Sequence, residues 1–171
     1  MVVGDIDFYF AWPDSISVQA KINWTNPLTH DVLFSGLIPE DATAYFYAIV
    51  STDRKIWTTH YIGKVYAQKS SQRHRSADHV ARLKELQENY PTRIFHLTLG
   101  TPIFDGEIEI PNETVIDQIE GLLIYSNWNE EMVNKRKIDT FHCASQISLE
   151  NTGFSNHLCK RSAYGIFYSD E

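Results

Sequence analysis

Residues 44–65 read AYFYAIVSTDRKIWTTHYIGKV, and this stretch decides the fold. Two apolar runs rich in aromatic and β-branched residues, Ala44 to Val50 and Ile56 to Val65, flank the polar Ser51 to Lys55. Such side chains suit a pleated, half-buried surface. Two runs of this kind with a short polar interruption predict a β-hairpin. A period of two puts Tyr45 and Tyr47 on one face of the first strand, and Tyr61 and Gly63 on one face of the second. Glycine inside a strand weakens it unless a backbone or ligand comes close, so Gly63 marks a close approach.

Beyond the hairpin, Val80, Leu83 and Leu86 recur at helical spacing. They predict a helix capped by Ser76, running to about Asn89 and stopped by Pro91. Arg93 to Leu99 alternates as a strand. Asn112 precedes a second helix, with Glu113 and Asp117 in its first turns, where the dipole favours acids. Its apolar positions are Val115, Ile116, Ile119, Leu122, Leu123 and Ile124. Further strands are expected at Gln146 to Leu149 and Ala163 to Tyr168. Upstream they are expected at Asp5 to Trp12, Ile16 to Trp24 and Val32 to Ile38, punctuated by Pro13-Asp14 and Asn26-Pro27. The order of hairpin, helix, strand and helix predicts an α+β (mixed α/β) domain. Its expected form is a small central antiparallel sheet flanked by helices, with extra β segments at both termini.

At 171 residues and 43% hydrophobic content, the chain suits one folded domain, 1–171, and is too short for two ordinary ones. No run approaches the roughly 18 apolar residues of a membrane span. The opening Met1-Val-Val-Gly-Asp-Ile-Asp lacks the basic and apolar regions of a secretory signal. Two cysteines and no export signal predict a reduced, cytoplasmic setting without a membrane partner.

A net charge of −7 argues against a nucleic-acid partner, but its distribution argues for one. Between Arg54 and Lys84 lie eight basic residues and one acid, so these 31 residues carry +7 and the other 140 carry −14. A local basic patch on an acidic body is able to track phosphates, whereas the bland alternative is a solvated helix face.

Glu120 shares a helix face with Ile116, Leu123 and Ile124, so its carboxylate points into an apolar stripe. It needs a partner there: a metal, an arginine, backbone donors or a salt bridge at the core's edge. Lys64 follows Tyr61 closely, and a phenol beside an ammonium ionises more easily.

Together these residues carry a family resemblance. Tyr45-Phe46-Tyr47, followed by Tyr61-Ile62-Gly63-Lys64, resembles the two strand motifs that name the GIY-YIG nucleases. Arg75-x3-His79 resembles the family's Arg-x3-His element, Glu120 its metal-binding glutamate, and Asn134 its closing asparagine. The resemblance covers about residues 44–137, leaving 1–43 and 138–171 as accessory β segments, the expected place for substrate selection or a homodimer contact. The first motif departs from the pattern, because Tyr45 stands where the family has glycine. Arg73 competes with Arg75 for the arginine role, and Asn127 and Asn129 compete with Asn134.

The resemblance implies a one-metal endonuclease acting on DNA phosphodiesters. Mg²⁺ or another divalent cation would sit on Glu120 with waters completing its shell. Tyr61, its pKa lowered by Lys64 and the metal, would act as general base. Arg75 would neutralise charge on the phosphoryl oxygens. Tyr47 and His79 would orient water or phosphate, Lys69 and Arg73 would contact substrate, and Asn134 would hold substrate or the glutamate helix. The rival reading is a nucleic-acid-binding module of the same fold that has lost useful cleavage. His142-Cys143 with His157-x-Cys159 fits no familiar zinc finger. Lys135-Arg136-Lys137 and Lys160-Arg161 read as solvated, with backbone contact to DNA as their alternative. No Walker loop, dinucleotide fingerprint or Gly-x-Ser-x-Gly elbow occurs.

Overall fold

The computed structural model describes residues 18–29, 44–53, 55–67, 77–105, 112–139, 143, 145–164 and 166–168. The strands expected at Asp5 to Trp12 and Val32 to Ile38 lie outside these, as do Lys69, Arg73, Arg75, Ser76 and His142. Described elements run β1 (Val18–Trp24), β2 (Ala44–Asp53), β3 (Ile56–Tyr66), α1 (Ala77–Asn89), β4 (Phe95–Phe104), α2 (Glu113–Asn127), β5 (Ile147–Gly153), β6 (Arg161–Ala163) and β7 (Ile166–Tyr168). The fold is mixed α/β, as the sequence predicts. No helix among the described residues is long and apolar enough to cross a membrane.

The hairpin of β2 and β3 forms in antiparallel register, with Tyr47 facing Gly63 and Ile49 facing Tyr61. Its sheet differs from expectation in size and in direction. Seven strands lie in the order β3-β2-β4-β1-β5-β6-β7, so the sheet is not small. Strands β1 and β5 pair in parallel from Val18 opposite Ile147 to Trp24 opposite Gly153, so the sheet is not purely antiparallel either. The flanking segments supply β1 and β5–β7 to the same sheet as the hairpin. The expected strand at Ala163 to Tyr168 resolves into the hairpin of β6 and β7. Alternation reports which residues of a strand share a face, and says nothing of which distant strand lies beside it.

Period two splits β2 between two apolar layers. Phe46, Ala48 and Val50 face α2, where Ile116, Ile119 and Leu123 are fully buried. Tyr45, Tyr47 and Ile49 face the other way, into a layer that includes Leu86 of α1. Asn112 caps α2 by accepting from Val115 N at 3.0 Å, which satisfies one of the orphan donors of the first turn. In α1 the inward stripe is His79, Leu83 and Leu86, while Val80 is 57% exposed. The helix is thus rotated from the expected Val80-Leu83-Leu86 face, because a histidine takes an inward position.

Strand β3 ends the sheet, and an open edge leaves backbone groups unpaired. The segment after α2 closes this edge. Val133 N donates to His60 O at 2.8 Å, and Asn129 Nδ2 donates to Thr59 O at 3.0 Å. Asn134 accepts from Ile62 N at 3.1 Å and donates to Ile62 O at 2.9 Å. Its side-chain amide thereby replaces one residue of a missing neighbouring strand.

Candidate active site

Where β3, α1, α2 and the edge segment meet, they enclose a cleft of about 590 Å³. Tyr61, Arg82, Asp117, Glu120, Asn134 and Lys137 are among its lining residues. Behind Tyr61, which lines it, lie Tyr47 and Gly63. The Tyr47 ring lies across Gly63, where a Cβ would come within 2.6 Å of its Cζ and Oη. Only glycine admits the ring there, which explains the close approach that the sequence marks at residue 63. Tyr47 then meets Tyr61 at 5.7 Å between ring centroids, and His79 at 5.7 Å on another side.

Tyr47 is 0% exposed and His79 is 2% exposed. They pack behind Tyr61 instead of on the cleft wall, so neither is placed to orient water or phosphate directly, contrary to what the sequence predicts. The reason is the inward rotation of α1, which turns His79 onto the Tyr47 ring. Tyr61 does reach the cleft, but its chemistry differs from expectation. Burial pushes its phenol above the ordinary tyrosine range, the neighbouring Tyr47 adds to this, and Arg82 opposes it. Lys64 is engaged elsewhere, with its ammonium 3.1 Å from Asp117 Oδ1 and 3.7 Å from Glu113.

Arg82 and Arg136 both line this cleft, and Arg82 is the one stacked on Tyr61. Its guanidinium carbon stands 3.8 Å from the Tyr61 ring centroid. One of its terminal nitrogens, Nη1, is buried without a hydrogen-bond partner. Arg75 and its competitor Arg73 lie outside the described residues. Arg82 sits at i+3 from the inward-facing His79, a spacing visible in the sequence once the face of α1 is known.

Glu120 projects from α2 with 14% side-chain exposure, and its partner is Lys137 at 2.8 Å. Lys137 also pairs with Asp117 Oδ1 at 2.9 Å, so it is not the solvated lysine that the sequence suggests. Burial alone would raise the Asp117 carboxyl, but Lys137 and Lys64 outweigh it and hold the group below its usual range. The competing asparagines have structural tasks. Asn129 bonds the Thr59 carbonyl and Glu131 N, Asn127 bonds the Leu123 carbonyl, and Asn134 is clamped to Ile62 with both ends of its amide.

No protein-family model, curated protein or solved structure matches this chain. The cleft therefore has to be read from its own chemistry.

The donor set suits a hydrated divalent cation better than a caged one. Asp117 and Glu120 offer hard carboxylate oxygens on a cleft wide enough for an ion with its waters, the manner in which Mg²⁺ is usually held. Among the described residues no three of His, Cys, Asp and Glu converge into a cage. The described cysteines are bonded elsewhere, Cys143 Sγ to Ser145 O at 2.8 Å and Cys159 Sγ to Ser126 O at 3.1 Å.

A second polar line imitates a hydrolase triad. Ser51 Oγ lies 2.7 Å from His60 Nε2, and His60 Nδ1 lies 3.7 Å from a Glu131 carboxylate oxygen. With Ser51 1% and His60 0% exposed, no substrate reaches the hydroxyl, and the line is structural.

Proposed function

We propose that the protein is a metal-dependent DNA endonuclease of the GIY-YIG kind, with the edge cleft of β3 as its active site. One observation carries the reading: Tyr61, Arg82 and Glu120, from three different elements, border the same cleft, with Tyr47, Gly63, His79 and Asn134 packed around them. Phosphodiester hydrolysis needs a held water, a cation for the charge growing on the phosphoryl oxygens, and help for the leaving oxygen. A divalent cation on Glu120 would supply Lewis-acid polarisation and favour ionisation of a nearby water.

Arg82 takes the role first expected of Arg75. Its planar fork, on the cleft wall, suits a phosphoryl oxygen pair. Tyr61 is a neutral phenol in the resting cleft, so it holds the attacking water by its oxygen. To take the water's proton the phenol must first lose its own to solvent, and positive charge beside it, beginning with Arg82, favours that ionisation. Tyr47 and His79 fix the ring of Tyr61 from behind, and Asn134 holds its strand.

The rival reading, DNA binding without cutting, is favoured by one contact: Lys137 already occupies Glu120. Incubation of the chain with plasmid DNA and Mg²⁺ separates the two. Nicked or linear product that disappears with Glu120→Gln supports the nuclease. The swap keeps shape and removes the charge that a hard cation needs. DNA retention with no product at any Mg²⁺ concentration supports the binding module. Product formation undiminished in Glu120→Gln removes Glu120 from the mechanism.

A further inference from the structure

We infer that Lys137 is the resident counter-cation of the Glu120 site, and that a divalent ion loads there only by displacing it. This rests on the proposed role of Glu120 as the metal ligand. A lysine ammonium has three donors and no acceptor. Lys137 Nζ meets three acceptors within 3 Å: the Asp117 carbonyl at 2.9 Å, Asp117 Oδ1 at 2.9 Å and Glu120 Oε2 at 2.8 Å. All three N–H directions of the ammonium are thus taken by the elements that would face the ion.

The backbone is bent to deliver this group. Lys137 has φ 64°, a left-handed conformation that a residue with a side chain keeps only where its surroundings hold it. Lys64 completes the balance from β3, bonding Asp117 Oδ1 at 3.1 Å. Asp117 and Glu120 are thereby both engaged by ammoniums before any ion arrives, although Lys64 is shared with Glu113 at 3.7 Å. A hydrated divalent ion must compete with an ammonium that is already desolvated and fully bonded. Once displaced, the ammonium swings on its four-carbon stem into the cleft beside Arg82, where a phosphate would meet it. Ion loading and release of a phosphate-binding cation become one event.

The test is Mn²⁺ binding to the full chain by titration calorimetry. Lys137→Met keeps most of the stem and removes the charge. It should bind Mn²⁺ roughly tenfold or more tightly than wild type, a coupling typical of neighbouring charged sites. The gain should vanish in the Lys137→Met, Glu120→Gln double variant. A second measurement needs only the wild-type chain: acylation of Lys137, read by mass spectrometry, should rise several-fold under saturating Mn²⁺ while that of exposed Lys84 stays constant. Equal Mn²⁺ affinity in wild type and Lys137→Met, or unchanged acylation of Lys137, overturns the inference. If wild type then still cleaves DNA in a Glu120-dependent way, the nuclease reading survives. If neither protein binds Mn²⁺ and neither cuts, both fall. Should Lys137→Met not fold, the acylation result decides alone.

Discussion

His60 and Tyr61 are neighbours on β3, yet they belong to polar clusters of opposite kinds. His60 closes on itself. Its Nδ1 donates to the Glu131 carbonyl at 3.3 Å, which leaves Nε2 to accept from the Ser51 hydroxyl, and Glu131 is in turn bonded by Arg93. Tyr61 opens onto a cleft, where Arg82 keeps an unpartnered nitrogen and the Glu120 carboxylate is held by a displaceable lysine. A register shift in the β2–β3 pairing, where Val50 pairs with Thr59 after Ile49 with Tyr61, sets His60 apart from its neighbours. A fully satisfied polar network rigidifies, whereas an unpaired buried polar group is costly. Residue types alone mislead here: the serine and histidine of this line are closed to solvent, whereas the tyrosine and arginine border the cleft.

The largest effect expected from this contrast lies in the cleft. Tyr61→Phe removes the hydroxyl and keeps the ring under Arg82, so the fold should hold. Single-turnover cleavage should fall roughly 10²- to 10⁴-fold if the phenol moves a proton. Equilibrium DNA affinity should stay nearly constant. Arg82→Ala should lower both, and its affinity loss should come with a salt slope shallower by about one unit. Equal cleavage by wild type and Tyr61→Phe would erase the distinction between the two clusters.

The next effect concerns pH and the closed, buried histidines. His157 packs against Trp24 and Phe154, its Nε2 is buried without a partner, and burial pulls its pKa down to about 4. His60 is lowered as well, by burial opposed by Glu131. A folded-state pKa below the unfolded value of 6.5 means that the unfolded chain binds the proton first. Stability is then complete above about pH 6.5 and is lost as pH falls towards 4. Partial exposure of His157 limits its share to at most about 3 kcal/mol. Urea midpoints measured between these limits should decline on acidification, and His157→Gln should flatten the decline. A midpoint independent of pH would show that His157 accepts its proton in place.

Local chemistry was the legible part. Alternation at Tyr45 and Tyr47, the helix start after Asn112 and the apolar stripe of α2 each depend on residues a few positions apart, and each forms as read. The apolar stripe also required a partner for Glu120, and Lys137 is that partner. What stayed hidden depends on distant pairing. The parallel neighbour of β1 lies more than a hundred residues away in β5. The place of Arg82 on the cleft escaped because it follows from the rotation of α1, in which His79 packs on Tyr47, and not from the helix's own apolar spacing. The engagement of Lys137 escaped because a run of three basic residues looks solvated until the left-handed turn at its end is known.

A smaller effect tests the packing behind Tyr61. Gly63→Ala drives a methyl group to 2.6 Å from the Tyr47 ring, whose Cζ and Oη cannot both retreat within a fully buried layer. Overpacking of this kind costs about 1–3 kcal/mol. Cleavage should fall beyond what stability explains, because the displaced Tyr47 ring is what holds Tyr61. A variant with normal stability and normal cleavage would show that the ring contact is incidental.

The smallest effect is also the sharpest check on the comparison. Ser51→Ala removes the donor to His60 Nε2 and leaves a buried acceptor unsatisfied, at a cost of about 1–2 kcal/mol. The lost stability should appear as a lower urea midpoint with an unchanged slope, since no additional surface is exposed. Cleavage at a temperature well below the transition should match wild type, because Ser51 is buried and is not among the residues that line the cleft. If cleavage instead drops as steeply as in Tyr61→Phe while the midpoint holds, the Ser51–His60–Glu131 line takes part in the reaction. The two clusters on β3 would then be one site.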